Sequence, residues 1–220
     1  MNHVFSESDH KRIEESVARA ESRTSGEIVP YLVTSSDAYS IARWRSGMVF
    51  LMASMAICYG IKSLYSGWDI GWLYSAIGLT VVGTIAVIAG VLAVELIPAL
   101  KRLFVGRDVL DRMVYLSAMT AFVEEEVFKT VDRTGILIFM STFERRVRVV
   151  GDEGINSVVE QEEWAEVVQK IVAGFQTGNV TDGIVAGIDA SGDLLERHGV
   201  EIAPGDTDEL PNRLRIRKRM

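Results

Sequence analysis

Two stretches of the chain lack a polar face altogether. Between Asp69 and Glu95 lie 25 uncharged residues, IGWLYSAIGLTVVGTIAVIAGVLAV. As a helix this run is about 37 Å long, enough to cross a hydrocarbon core of about 30 Å with some tilt. The earlier run SGMVFLMASMAICYGI, between Arg45 and Lys62, has 16 residues. It spans when its helix continues through Lys62 to about Tyr65, with the ammonium reaching outward to the interface. Trp44 marks one end, and Tyr65, Trp68, Trp72 and Tyr74 gather at the other, where aromatic rings favour the boundary between lipid and water. The short SGWDIG link at 66–71 makes the two runs antiparallel neighbours, so residues 46–98 read as a two-helix transmembrane hairpin. Ala53, Ala56 and Gly60 on the first helix, and Ala76, Thr80, Gly83, Gly90 and Ala93 on the second, are the small residues expected at the contact.

The remaining pattern is that of a globular protein. Ser6 and Asp9 stand three apart, as a capping pair should. Ile13, Val17 and Ala20 then fall on one helical face, and the helix is expected to end on a glycine cap near Gly26. EIVPYLVT at 27–34 reads as a strand, with Pro30 suggesting an edge position or a strand end. After the hairpin, Val109, Met113, Leu116, Met119, Val123 and Val127 form a helical stripe behind Asp108. ILIFMS at 136–141 and RVRVV at 146–150 read as the two strands of a β-hairpin around a TFER turn, followed by GDEG at 151–154. Two helices follow, over 162–178 and 180–199; glycines 183, 187 and 192 in the second allow close approach of a neighbour.

Residues 5–34 hold too little core to fold alone, and residues 107–199 need a further strand and helix. Joined, they give helix–strand–helix–strand–strand–helix–helix. Strand 27–34 and strand 136–141 then form a right-handed parallel pair, and the hydrophobic hairpin is an insertion in their crossover. The predicted fold is a small α/β sandwich, a mixed sheet with helices on both faces, interrupted by the transmembrane hairpin. Residues 200–220 read as a polar tail with a basic end.

Composition sharpens this picture. The 220 residues carry 30 acidic and 23 basic side chains, a formal charge of −7, and the mean hydropathy is +0.19. Arg213, Arg215, Arg217, Lys218 and Arg219 crowd the last eight positions; without these five cations the balance is 18 basic against 30 acidic. Such an acidic body does not attract nucleic acid. The basic end reads as a frayed, solvated terminus. One cysteine, Cys58, inside the first run, excludes a disulfide framework. Arg43, Arg45, Lys101, Arg102, Arg107 and Arg112 flank the outer ends of the two runs, whereas only Lys62 lies near the link. The positive-inside rule then puts both termini and the soluble domain on the cytoplasmic side. The lipid bilayer is one expected partner, a membrane protein a second, and self-association through the small-residue faces a third.

The order FSESDHKRIEESVARAESRTSGEIVPYLV, then RTGILIFMSTFERRVRVVGDEGI, then the terminal helical pair resembles the TPM domain family, in its bacterial membrane branch with the domain interrupted by a hydrophobic hairpin. The resemblance implies a small α/β sandwich and two different functions. Some members are described as acid phosphatases, and the resemblance also implies a divalent cation such as Ca²⁺ or Mg²⁺. Others act in assembly, repair or as receptor-associated factors without a reaction. Many members carry an aspartate in a short leader before the first helix; here that leader is MNHV, with no acid.

Candidate chemistry is sparse. No GxxxxGK[ST], HExxH, GxSxG or CxxC string occurs. A metal phosphatase needs oxygen ligands converging on its cation. The acids at predicted element ends are Glu21, Glu27, Asp152 and Glu153, which are the candidate metal ligands. Glu144, Arg145 and Arg146 crown the TFER turn and are the candidate partner-binding residues, since paired arginines grip phosphate or carboxylate. The expectation is a membrane-anchored, non-catalytic binding module serving assembly or maintenance of membrane proteins. The alternative is a cation-dependent phosphatase at the membrane surface.

Overall fold

The computed structural model describes residues 5–64, 71–200, 202 and 209–217. The leader MNHV, Tyr65, Trp68, most of the 66–71 link, Lys218 and Arg219 lie outside the described residues. The chain divides into two compact units: Ala38–Leu110, and the described parts of Met1–Asp37 with Asp111–Met220.

In the discontinuous unit, helix α1 (Glu7–Glu21) leads to strand β1 (Glu27–Val33). The other unit holds α2 (Ser40–Leu64), α3 (Ala76–Leu96) and α4 (Pro98–Val105). After α5 (Arg107–Glu124) come β2 (Gly135–Ser141), β3 (Arg146–Gly151), the single turn α6 (Glu153–Asn156), α7 (Ala165–Thr177), α8 (Val180–Arg197) and β4 (Arg215–Arg217).

The sheet order is β3-β2-β1-β4. β1 and β2 run parallel over seven pairs, from Glu27 opposite Gly135 to Val33 opposite Ser141; β3 is antiparallel to β2, and β4 is parallel to β1. Every position of β1 and β2 is buried, as expected of strands covered on both faces. On one face Ile28, Leu32, Ile136, Ile138 and Met140 pack with Ile13, Val17, Trp164, Ile171, Ile184 and Leu195 from α1, α7, α8 and the turn before α7. On the other, Val29, Tyr31, Val33, Leu137 and Phe139 pack against Val114, Ala118, Ala121 and Phe122 of α5. The class is therefore α/β, a mixed four-stranded sheet with helices on both faces.

Four details differ from the sequence pattern. The basic end is not wholly a tail: Leu214 is buried and residues 215–217 form β4. β1 is consequently an inner strand; among the described residues β4 pairs with Tyr31–Val33, and Pro30 is opposite Ile138 of β2. On α5 the buried stripe is Val114, Ala118, Ala121 and Phe122, while Leu116, Met119 and Val123 are exposed. The alanines let the helix lie close to the sheet, so the bulkier stripe is turned outward. Gly26 is not a left-handed cap; a Cβ there would meet Leu195 Cδ1 at 2.5 Å, so space is what it supplies.

The capping pair forms as the spacing suggests. Ser6 Oγ accepts from Asp9 N at 3.2 Å, and Asp9 Oδ2 accepts from Ser6 N at 2.9 Å. α7 and α8 cross where two glycines meet: a Cβ on Gly174 would lie 2.4 Å from Gly183 Cα, and one on Gly183 2.7 Å from Gly174 Cα.

In the other unit, α2 and α3 are each long and apolar enough to cross a membrane. They pack antiparallel: a Cβ on Gly90 would meet Ser46 O at 2.8 Å, and one on Gly83 would meet Leu51 Cδ1 at 2.9 Å. Gly83 and Gly90 thus take the expected role. Ala53, Ala56 and Ala76 are exposed and a Cβ on Gly60 would meet nothing within 4 Å, whereas Thr80 lines the groove beside Gly83 and the buried Gly47 and Ser46 join the contact. α3 begins at Ala76 rather than Ile70 because Ser75 caps it through Gly78 N, after a 3₁₀ turn over Gly71–Tyr74. At the outer ends, Glu95 pairs with Arg43 at 2.6 Å and Lys101 at 3.4 Å, and Arg45 donates to the last carbonyls of α4, Phe104 and Val105.

Replacing Gly183 by valine forces α7 and α8 apart. We expect a loss of about 1–3 kcal/mol, read as a lower midpoint in denaturant unfolding of the detergent-solubilised chain. An unchanged midpoint would show that the glycine contact is not tight.

Candidate functional site

The four acids expected to hold a metal have separate duties. Glu21 Oε1 accepts the Ile28 N–H at 2.9 Å and ties the end of α1 to β1. Glu27, buried, accepts from the backbone N–H groups of Glu209 and Leu210, both at 3.2 Å, and so fastens the segment leading to β4. Asp152, also buried, caps α6 through Glu153 N at 2.8 Å and faces Arg133 with both oxygens, at 2.6 and 2.9 Å. That hydrogen bond, with the charge of Asp152, holds the Arg133 guanidinium above its ordinary pKa. Glu153 is exposed at the first position of α6.

No group of three or more His, Cys, Asp or Glu side chains poised to hold a metal occurs among the described residues. Both oxygens of Glu27 and both of Asp152 already accept hydrogen bonds. As arranged, these residues do not present the converging oxygens that Ca²⁺ or Mg²⁺ requires. Arg133, in the left-handed region at φ 57°, is the partner that sequence reasoning missed. A basic residue in a turn before a strand carries no signal of its own.

At the other end of β1 and β2 the TFER turn folds inward on one side. Glu144 is 3% exposed; its carboxylate accepts from Ser36 N at 2.7 Å and from the Ser141 hydroxyl. The Ser35 hydroxyl approaches it at 3.4 Å, and the Ser117 hydroxyl donates to Ser36 O at 3.1 Å. The turn backbone is tied to the same loop, with Thr142 N donating to Val33 O and Phe143 N to Thr34 O. Glu144 is therefore an internal fastener rather than a surface contact. Ser141 stands out in the sequence only as a hydroxyl at the strand turn with no histidine nearby; Ser35, Ser36 and Ser117 carry no signal beyond the TSS run at 34–36, directly after a strand. Of the two arginines, Arg145 is exposed at φ 56°, while Arg146 pairs with Asp111 at 2.6 Å.

Arg146 belongs to a larger arrangement. β3 and β4 are the outer strands of the sheet, and each directs arginines at α5. From β3, Arg146 meets Asp111 and Arg148 lies 4.8 Å from the Tyr115 ring centroid. From β4, Arg215 meets Glu125 at 2.7 Å and Arg217 meets Glu124. The apolar centre of this face is thus rimmed on both sides by cations bound to one helix. The outer side of that helix carries Leu116, Met119 and Val123, one helical stripe of exposed apolar side chains.

A small α/β sandwich with a polar, internally bonded rim and one uncovered helical stripe is the class of protein defined by these features. Residues 112–194 match the family model described as the TPM domain, a stretch from α5 to α8. The fold is similar to the NMR structure of the BA42 protein from the psychrophilic bacterium Bizionia argentinensis, with a TM-score of 0.57 at 20% identity over 98% of this chain and 97% of that one. No curated protein matches the chain.

Substituting Glu144 by alanine leaves the Ser36 N–H and Ser141 hydroxyl buried without this acceptor. The expected cost is about 2–3 kcal/mol, whereas Arg145→Ala should stay within about 0.5 kcal/mol of the parent. Urea titrations of both variants check this. Equal, small effects would return Glu144 to the surface.

Proposed function

We propose that this chain is a membrane-anchored binding module, without a reaction of its own, that engages another membrane protein through the outer face of α5. The observation that carries this reading is the exposed stripe Leu116, Met119 and Val123 on a helix that begins eleven residues after α3 ends. A soluble domain gains nothing by leaving such a stripe in water, and an apolar helical stripe is what helix-in-groove recognition uses. Two apolar helices with Arg43, Arg45, Lys101 and Arg102 at their outer ends supply the anchor. Anchoring raises the effective concentration of the module at other membrane proteins, so a small stripe suffices for a specific encounter. On this reading the stripe and the exposed Arg145 face the cytoplasm of a bacterial inner membrane.

The internal engagement of Glu27, Glu144 and Asp152 weighs against the phosphatase alternative. In each case the carboxylate already serves a backbone N–H, a serine or an arginine of the same chain. An acid with such duties is not poised to hold a cation or to move a proton to substrate.

A photocrosslinking side chain at Met119 in the full-length protein in cells should yield a discrete adduct with another membrane protein. The same group at Lys129, away from the stripe, should yield none, and Leu116→Asp should abolish the Met119 adduct. Adducts with lipid alone, or none, would overturn the reading. So would turnover of p-nitrophenyl phosphate with Mg²⁺, Ca²⁺ or Mn²⁺ that Asp152→Asn removes from a folded protein, which would favour the phosphatase.

A further inference from the structure

The break between α3 and α4 turns the chain back on itself. Ile97, at φ −116° and ψ 94°, is extended between the two helices, and Pro98 opens α4. Gly90 of α3 lies against Ser46 of α2. Had α4 continued the line of α3, the Phe104 carbonyl, fourteen residues further on, would stand about 21 Å beyond that contact, out of reach of any side chain there. Yet Arg45, next to Ser46, donates to Phe104 O at 2.9 Å and to Val105 O at 3.0 Å. Within α4, Lys101 meets Glu95 at 3.4 Å. α4 is therefore folded over the outer end of the helical pair, at the level where the uncharged stretches of α2 and α3 give way to charge.

That level holds cations in excess. Arg43, Arg45, Lys101, Arg102 and Arg107 stand there against two acids, Glu95 and Asp108. Glu95 is shared by Arg43 and Lys101, and the carbonyl partners of Arg45 leave its charge unbalanced. Arg43, Arg45 and Arg107 are exposed. So are apolar side chains at the same level: Trp44 and Leu103 are 75% exposed, and Leu96 is 77% exposed. The opposite end of the pair carries Lys62 and Asp69, which balance. Exposed arginines beside an exposed indole and leucines suit a headgroup layer, where the apolar groups enter the acyl boundary and the guanidinium groups meet phosphate.

We propose that α4, with the adjoining turns of α2, is a docking surface for anionic phospholipid, lying in the headgroup layer and selecting lipids of net negative charge over zwitterionic ones. The proposal rests on the reading of α2 and α3 as the membrane anchor. Charge selects the class of lipid. Three cations beyond balance attract an anionic headgroup, whereas a zwitterionic one offers no net charge to meet them. Glu95 is the internal competitor for Arg43 and Lys101, so the surface gains when that acid loses its charge.

The full-length chain reconstituted in phosphatidylcholine bilayers at low salt tests this. The probes are spin-labelled phosphatidylglycerol and spin-labelled phosphatidylcholine, and the EPR spectrum reports the share of each that is held at the protein. We expect phosphatidylglycerol to associate about threefold or more strongly than phosphatidylcholine. Arg102→Gln combined with Arg107→Gln lowers the excess from three charges to one and should bring the ratio close to one. Glu95→Gln should raise it, a change in the opposite direction that loss of structure does not produce. A ratio of one in the parent and in Glu95→Gln, or a ratio that the double substitution leaves unchanged, would overturn the proposal. The anchor would stand in both cases, because each probe would still report lipid held at the protein. No protein-held lipid with either probe would instead overturn the anchor, and this proposal with it.

Discussion

The parallel pairing of β1 with β2 is the constraint on which the remaining structure depends. Seven consecutive residues, Glu27 to Val33, lie in register with Gly135 to Ser141, although more than a hundred residues separate them in the chain. Parallel neighbours cannot be joined by a tight turn, and a crossover must return the chain to the end of the sheet where it began. Whatever is inserted in that crossover has to leave and come back on one side. An antiparallel helical pair meets this condition, because α2 starts beside the end of α3, where Ser46 approaches Gly90. A single apolar helix would not, since its far end would lie the length of a membrane span away.

With the strands paired, their second face requires a cover, and among the described residues α5 supplies most of it, with Val127 just beyond its end. The apolar contact of Val114, Ala118, Ala121 and Phe122 with Tyr31 and Phe139 provides the main stabilisation. The ion pairs around it are partly exposed and individually weak. Their value is positional. Asp111 and Tyr115 face arginines of β3, while Glu124 and Glu125 face arginines of β4, so opposite ends of the helix are fixed to opposite edges of the sheet. Arginine suits this task because its stem packs along the apolar margin while its planar head keeps several donors in reach. Charged residues on outer strands also discourage edge-to-edge association.

Much of this architecture was legible because strong periodicity coincides with burial. The uniform apolar runs of β1 and β2, the alternation in β3, the Ser6–Asp9 capping pair and the glycines of α8 each correspond to one physical demand. β4 was not legible: three residues, Arg-Ile-Arg, in a basic stretch offer too short a pattern against the prior for a solvated end. α5 misled for a different reason. Its sequence carries two apolar stripes, and the bulkier one is the stronger signal, yet the stripe with Ala118 and Ala121 permits the closer approach. The acids were recognised at element ends, but their partners lie far away in sequence. Leu210 for Glu27, Ser36 for Glu144 and Arg133 for Asp152 follow only from the assembled sheet.

Those distant partners bear on how function and stability are divided in this chain. Glu27 fastens residues 209–210 to the start of β1, and Glu144 fastens the β2–β3 turn to the loop that follows β1. Both bonds join the stretch before the apolar helices to the stretch after them. A carboxylate suits such a fastening because it takes two backbone donors at once and, when buried, is stabilised by them only in the assembled geometry. The insertion lengthens the loop that folding must close, but closure entropy grows only logarithmically with length. A few charge-assisted bonds at the two ends of the β1–β2 pair therefore offset the cost of carrying the helical insert. The acids that look most like chemistry in the sequence are, on this account, what allows one globule to be built from two separated pieces.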